Sequence, residues 1–201
     1  MITPDELKPE RTALVLLAAG KSERFGLSDK LNASFLGHPL GYHVVTALTA
    51  VPFQARIAVC DGGELDYGAR GYTVVINEKP DEGMASSVRL GVKAAREAGC
   101  DAVLIALADM PRVTATQIYR LFDVSHGDET VAASSDGLSP KPPVLFGKAQ
   151  FDLLEALEGD EGARKLVSGG RHVVTMADEL VDVDTEEELE YLQRKFGHGR
   201  H

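Results

Sequence analysis

Three cations, Lys21, Arg24 and Lys30, crowd one short stretch of a chain whose formal net charge is −10. They follow an apolar run, Thr12 to Ala18, through the loop Ala19-Gly-Lys-Ser-Glu-Arg-Phe-Gly26. Small residues let backbone amides approach a ligand closely, and a glycine can supply the positive φ of an anion-cupping turn. Arginine suits bidentate phosphate contact, whereas lysine acts as a point charge. A phosphate site is the chemistry this pattern favours; a tight turn with solvated charges is the plain alternative. Gly20-Lys-Ser22 imitates the end of a Walker A loop, but that motif's first glycine would fall at Val15, inside the apolar run. No G-x-G-x-x-G pattern occurs either, so P-loop and dinucleotide-binding readings lose support.

Two carboxylates could complement those cations. Asp109 closes a second apolar run, Asp101 to Leu107, where nothing about a buried strand calls for a charge. Magnesium is held by one or two protein carboxylates plus the substrate's phosphates, and Asp109 is placed for that, with Pro111 stiffening the turn behind it. The alternative is an Asx turn. Asp184 precedes Thr185 and Glu188, which form a capping box, so helix capping and metal binding both remain open for it. No nucleophile–base arrangement stands out: the His residues are scattered, and Ser86-Ser87 lacks an adjacent partner.

The elements that must position these groups alternate. Thr12–Ala18 and Asp101–Leu107 read as strands buried on both faces, with shorter candidates at 55–60, 72–76 and 130–133. Met84, Val88, Val92 and Ala95 recur at helical spacing. Thr114 to Gln117 caps a helix burying Ile118, Leu121 and Phe122, and a last helix after Thr185 aligns Leu189, Leu192 and Phe196. Such alternation predicts a three-layer α/β/α sandwich with a mostly parallel sheet, its ligands at the carboxyl ends of the strands. The 201 residues suit one domain, with a core of about 12–196 and short mobile ends. Cys60 and Cys100 read as buried free thiols.

The motifs together resemble the MobA-like NTP transferases. Leu17-Ala-Ala-Gly-Lys-Ser-Glu-Arg-Phe-Gly26 with Lys30 is similar to their signature, and Phe35-Leu-Gly-His-Pro-Leu40 to the element that follows it. Within the group, Asn77 and Gly83-Met-Ala-Ser-Ser-Val-Arg-Leu-Gly91 most resemble molybdenum cofactor cytidylyltransferases. Further matches are Leu107-Ala-Asp-Met-Pro111, Pro143-Val-Leu-Phe146, Gly159-Asp-Glu-Gly-Ala-Arg164 and Asp182-Val-Asp-Thr185. They run in order over nearly the whole chain. Gly137 to Pro143 departs from the glycine-rich pattern usual before P-x-L-F and reads as a stiffer loop at the acceptor side.

The resemblance implies a nucleotide-diphospho-sugar transferase type of fold (GT-A, Rossmann-like). It implies transfer of CMP from CTP to a phosphorylated acceptor, molybdopterin being the family's, with release of pyrophosphate and a possible molybdoenzyme client. Asp109 and Asp184 would hold Mg2+. Arg24 and Lys30 would hold the triphosphate. Leu17, Ala18, Ala19, Gly20, Lys21 and Ser22 would line the nucleotide, with Asn77, Gly83 and Ser87 nearby. The segment Gly83 to Arg89 opens a helix, whose amino terminus suits anions, although Ser86 and Ser87 could simply cap it. The guanylyl branch usually carries Ala-Gly-Gly where this chain has Ala18-Ala-Gly20, so the Ala19 methyl is expected to narrow the base pocket in favour of cytosine. Arg164 and Lys165 reach the acceptor only by resemblance.

The acidic balance argues against a nucleic-acid or anionic membrane partner. The polar, acidic start and the lack of a spanning apolar run point to a cytoplasmic protein. Two rival readings remain: transfer to a sugar or polyol phosphate, and a non-catalytic nucleotide or cofactor escort.

Overall fold

A computed structural model describes residues 6–20, 25 and 29–197, with side chains left aside at 160–163. In chain order the strands are β1 (Thr12–Ala18), β2 (Ser34–Phe35), β3 (His38–Pro39), β4 (Ala55–Cys60), β5 (Thr73–Ile76), β6 (Ala102–Leu107), β7 (Val131–Ser135), β8 (Pro140–Gly147) and β9 (Arg171–Val174). The helices are α1 (His43–Ala47), α2 (Met84–Glu97), α3 (Ala115–Asp123), α4 (Phe151–Glu155), α5 (Gly159–Ser168) and α6 (Glu186–Phe196), joined in places by single 3-10 turns. Seven strands form one sheet in the order β5-β4-β1-β6-β8-β7-β9. Its pairs are parallel except where β8 runs against β6 and β7.

Strand alternation sorts the core into two faces. Leu14, Leu16, Ala58, Leu104 and Ala106 face α1 and α3, whose Val44, Val45, Ile118 and Leu121 cover them. Ala13, Val15, Val59, Val103 and Ile105 face the other way, under Val88 and Val92 of α2 and Phe151 and Leu154 of α4. Because β1 is buried along its entire length, its residues had to be apolar on both sides. The three-layer sandwich expected from the sequence is the architecture found.

Some elements differ from expectation for identifiable reasons. Met84, counted on the buried face of α2, is 48% exposed as the first residue of the helix, and Ala85 and Gly91 take its place inward. The segment read as a stiff loop, Gly137 to Pro143, instead runs into the central strand β8. Prolines cannot donate to a ladder. Here Pro140 to Pro143 lie beyond the reach of β6, whose pairing with β8 extends only from Ala102↔Gly147 to Ile105↔Val144, so this stretch has β7 alone beside it. Cys60 and Cys100 are free and buried; burial, helped by Asp61, pushes the Cys60 thiol up to about 11. Among the described residues no helix is long and apolar enough to cross a membrane.

α2 can lie close on β1 because residue 91 is glycine: a Cβ there would stand 2.3 Å from Cγ1 of Val15. Gly91→Ala must push the helix off the strand, at a cost of about 1–3 kcal/mol. A thermal melt of the variant should fall by roughly 3–10 °C.

Candidate functional site

The carboxyl ends of β1 and β6 lie side by side, and the ladder continues past the strands, since Ala108 N–H donates to the Leu17 carbonyl at 3.0 Å. Ala108 and Met110 are each 1% exposed, which pins the chain on both sides of Asp109 and leaves its carboxylate at the mouth of the turn. Lys30 opens a single 3-10 turn, Lys30–Asn32, where the Asp29 side chain accepts from Leu31 N–H at 3.0 Å and Leu31 is buried. Asp184 is placed from the far end of the sequence. Val183 N–H donates to the Asp109 carbonyl at 3.0 Å, which draws the 182–184 segment along the Asp109 turn. Glu188 of α6 then accepts from the backbone N–H of both Asp184 (2.8 Å) and Thr185 (2.9 Å), and Thr185 caps the helix in return.

These three segments meet at one ammonium. Lys30 Nζ is 2.7 Å from Asp109 Oδ2 and 2.9 Å from Asp184 Oδ1, with side-chain exposures of 10%, 18% and 28% for Lys30, Asp109 and Asp184. Burial alone would lower the Lys30 pKa, but Asp109 and then Asp184 outweigh it, so the ammonium is held above its ordinary value. Asp109 is pushed above the usual carboxylate range by burial; Lys30 pulls it back, while Asp182 and Asp184 add to the rise. Two carboxylates thus share the Lys30 ammonium. Asp109 Oδ1 is also shielded from solvent with no hydrogen-bond partner among the described residues. A buried orphan acceptor costs about 1–3 kcal/mol, and a charged one more. An orphaned carboxylate oxygen beside a second carboxylate fits a hard divalent cation whose other ligands are phosphates and water. Among the described residues no three His, Cys, Asp or Glu side chains cluster as a self-sufficient metal cage.

The residues expected on the nucleotide side lie in different settings. Leu17 and Ala18 end β1 buried, Ala19 is half-buried and Gly20 is exposed, all beside the Asp109 turn. A Cβ on Gly20 would meet nothing within 4 Å, so no protein contact calls for its smallness. Lys21, Ser22 and Arg24 lie outside the described residues. Phe25, between them and Lys30, is 3% exposed and packs with Phe35, Leu40, Leu189 and Leu192.

Asn77 is 3% exposed and its amide is taken up within the protein. Nδ2 donates to Ser86 Oγ (2.8 Å) and Ser87 Oγ (2.9 Å), and Oδ1 accepts from Lys79 N–H (2.9 Å). The side chain therefore staples the end of β5 to the start of α2, a use that sequence spacing could not reveal. The N-cap of α2 is Gly83, at φ +81 and ψ −174, a conformation essentially closed to other residues. Neither serine caps the helix; Ser86 instead donates to the Gly83 carbonyl at 2.8 Å. An open groove of about 470 Å³ adjoins this corner, lined by Asn77, Lys79, Glu82, Arg89 and Lys93 among others. Lys165 lines a different groove with Arg171, at the amino ends of β7 and β9 and so at the opposite edge of the sheet from Asp109.

Fold and charge centre define an α/β protein with one lysine bridging two carboxylates at the carboxyl end of its sheet. A family model for the MobA-like NTP transferase domain matches residues 14–176, and the chain belongs to that family. The purine catabolism protein PucB of Bacillus subtilis (strain 168) is 32% identical over 90% of this chain and 95% of its own length. Two molybdenum cofactor guanylyltransferases are also similar. That of Cereibacter sphaeroides is 30% identical over 79% of this chain and 80% of its own, and that of Vibrio atlanticus (strain LGP32) 28% over 84% and 85%. Among solved structures, a nucleotidyl transferase from Methanothermobacter thermautotroptrophicus superposes with a TM-score of 0.80, covering 94% of this chain and 99% of that one at 22% identity. Rv0371c of Mycobacterium tuberculosis, solved in complex with manganese, gives a TM-score of 0.73 over 92% and 98% at 24% identity.

These relatives correct the expected donor. The likeness to cytidylyltransferases, and with it CTP and the cytosine-selecting role of Ala19, gives way to guanylyltransferases among the curated relatives. The physical reason lies in what the matching segments do. Gly83 to Gly91 and Leu107 to Pro111 build a helix start and a carboxylate turn. A single methyl is worth only about 1–3 kcal/mol of discrimination and carries no hydrogen-bonding group to tell guanine from cytosine.

Two variants probe the construction. Lys30→Met strips the cation from two partly buried carboxylates, and chemical denaturation without metal should show a loss of about 3 kcal/mol. Asn77→Ala leaves the Lys79 amide and two serines without their partner, and should cost about 1–3 kcal/mol in the same measurement.

Proposed function

We propose that the protein is a magnesium-dependent nucleotidyltransferase that moves GMP from GTP onto a phosphate-bearing acceptor of the molybdenum cofactor type and releases pyrophosphate. The observation that carries this reading is the Lys30–Asp109–Asp184 centre at the carboxyl end of the sheet, with one Asp109 oxygen unsatisfied. The guanylyl relatives support the donor and the acceptor class. The name of the Bacillus relative gives a process and no donor, so it does not bear on that choice.

In this reading an acceptor phosphate oxygen attacks the α-phosphorus as the bond to the β-bridging oxygen breaks. The acceptor is ionised already, so no strong base is needed, and catalysis rests on in-line positioning and charge neutralisation. Asp109 and Asp184 hold the divalent ion, which when bound supplies Lewis acidity to the phosphates; the manganese found with a fold neighbour supports a divalent ion of this kind. Lys30 bridges both carboxylates and aims them, and with Arg24 steadies the triphosphate and the departing pyrophosphate. The backbone of Ala18 to Ser22 lines the nucleotide, with Leu17 beneath it. Gly83 and Ser87 present the start of α2 to its anionic end, and Asn77 holds that start in place.

Pyrophosphate release should require magnesium, GTP and molybdopterin together, with CTP and ATP turned over far more slowly. Asp109→Asn should lower the rate by about a hundredfold or more while leaving the protein folded. GTP bound but never cleaved, with acceptor present, would reject catalysis in favour of an escort role.

A further inference from the structure

The last helix does more than bury an apolar face. Along residues 181–196, contacts reach both segments that carry the charge centre. Val183 holds the Asp109 carbonyl, Asp184 pairs with Lys30, and Gln193 Nε2 donates to the Ser34 carbonyl at 2.7 Å, beyond the Lys30 turn. Each of these satisfies a polar group. A fourth contact is of another kind. The Arg112 guanidinium carbon lies 3.8 Å from the centroid of the Phe196 ring. Arg112 is half-buried, and its Nε is shielded from solvent without a hydrogen-bond partner among the described residues. In a chain with 31 acidic residues this cation faces an aromatic ring rather than a carboxylate.

A planar guanidinium laid on a ring is restricted in orientation, and its fork is already rigid, so the contact defines a position. Arg112 ends the turn that begins at Asp109, and the core grips that turn through Met110 and Val113, 1% and 2% exposed. The inner half is held by Val183 N–H and the outer half by Phe196. The segment leading into α6 supplies the first grip and the last residue of α6 the second. We propose that Arg112 and Phe196 are positioning residues for the Asp109 carboxylate: their stack fixes the 109–113 turn against the final helix and so sets the geometry of the divalent-ion site. This rests on Asp109 as a metal carboxylate.

The test is Mn2+ binding to the full chain with GTP, followed by electron paramagnetic resonance of the free ion. Wild type is compared with Arg112→Met, Phe196→Leu, their double variant and Phe196→Tyr, with melting temperatures measured alongside. Each single loss should weaken Mn2+ binding about tenfold, the low end for residues that support a metal site. The double variant should be no worse than the poorer single, because both remove one contact, while Phe196→Tyr keeps the ring and binds as wild type. Arg112→Lys, a milder change that keeps charge without the planar stack, should match Arg112→Met and serves if the latter melts early. Additive losses, wild-type affinity in both single variants, or a Phe196→Tyr as weak as Phe196→Leu would overturn the proposal. Amide exchange across 107–113 separates the two readings. A wild type that binds no Mn2+ would reject the metal site itself. Unchanged exchange in Arg112→Met would reject the positioning role whether or not metal binds.

Discussion

A lysine ammonium wedged between two carboxylates is the constraint around which the molecule is arranged. Asp109 emerges from the end of a strand that is otherwise buried, and burial works against its ionisation. Lys30 offsets that penalty only if it is buried too, and its own burial is tolerable only because two carboxylates receive it. Each charge is therefore the condition for the others. Lys30 and Asp109 would each be destabilised at this depth without the other.

Two devices bring them together. The parallel pairing of β1 with β6 delivers the Asp109 turn to the same edge as the loop leading to Lys30. The segment ahead of α6 then closes the centre from outside, with Glu188 gripping the backbone of Asp184 and Thr185. The small apolar cluster of Phe25, Phe35, Leu40, Val183, Leu189 and Leu192 bonds these pieces together without drawing on either face of the main sheet. The site is thus mounted on a satellite core of its own.

Much of this was legible in the residues. β1 and β6 announce themselves as uninterrupted apolar runs because both faces are covered, and α6 through a capping box whose hydrogen bonds the structure contains, whereas at α3 only Thr114 caps and the Gln117 side chain turns to Ser134. The antiparallel β8 was not legible, since its prolines argue against a central strand until one sees that β6 stops short of them. Lys30, Asp109 and Asp184 could each be singled out by type and setting. Their meeting could not, because it spans 79 and 154 positions of sequence and depends on three separate packing events. Asn77 was noticed for a motif and turns out to serve the scaffold. The base preference failed because it rested on one methyl, at Ala19, which carries no hydrogen-bonding group to tell one base from another.

The long separation between Lys30 and Asp184 has a consequence for biosynthesis. Strands β1 to β6, which include the parallel half of the sheet, can emerge from the ribosome and begin to pack while Asp184 is still unmade. Until that residue arrives, Lys30 lacks its Asp184 contact, and the satellite core lacks Leu189 and Leu192. The nascent sheet can therefore exist before the charge centre does. The charge centre is thus completed late, by a segment that packs onto a sheet already largely formed.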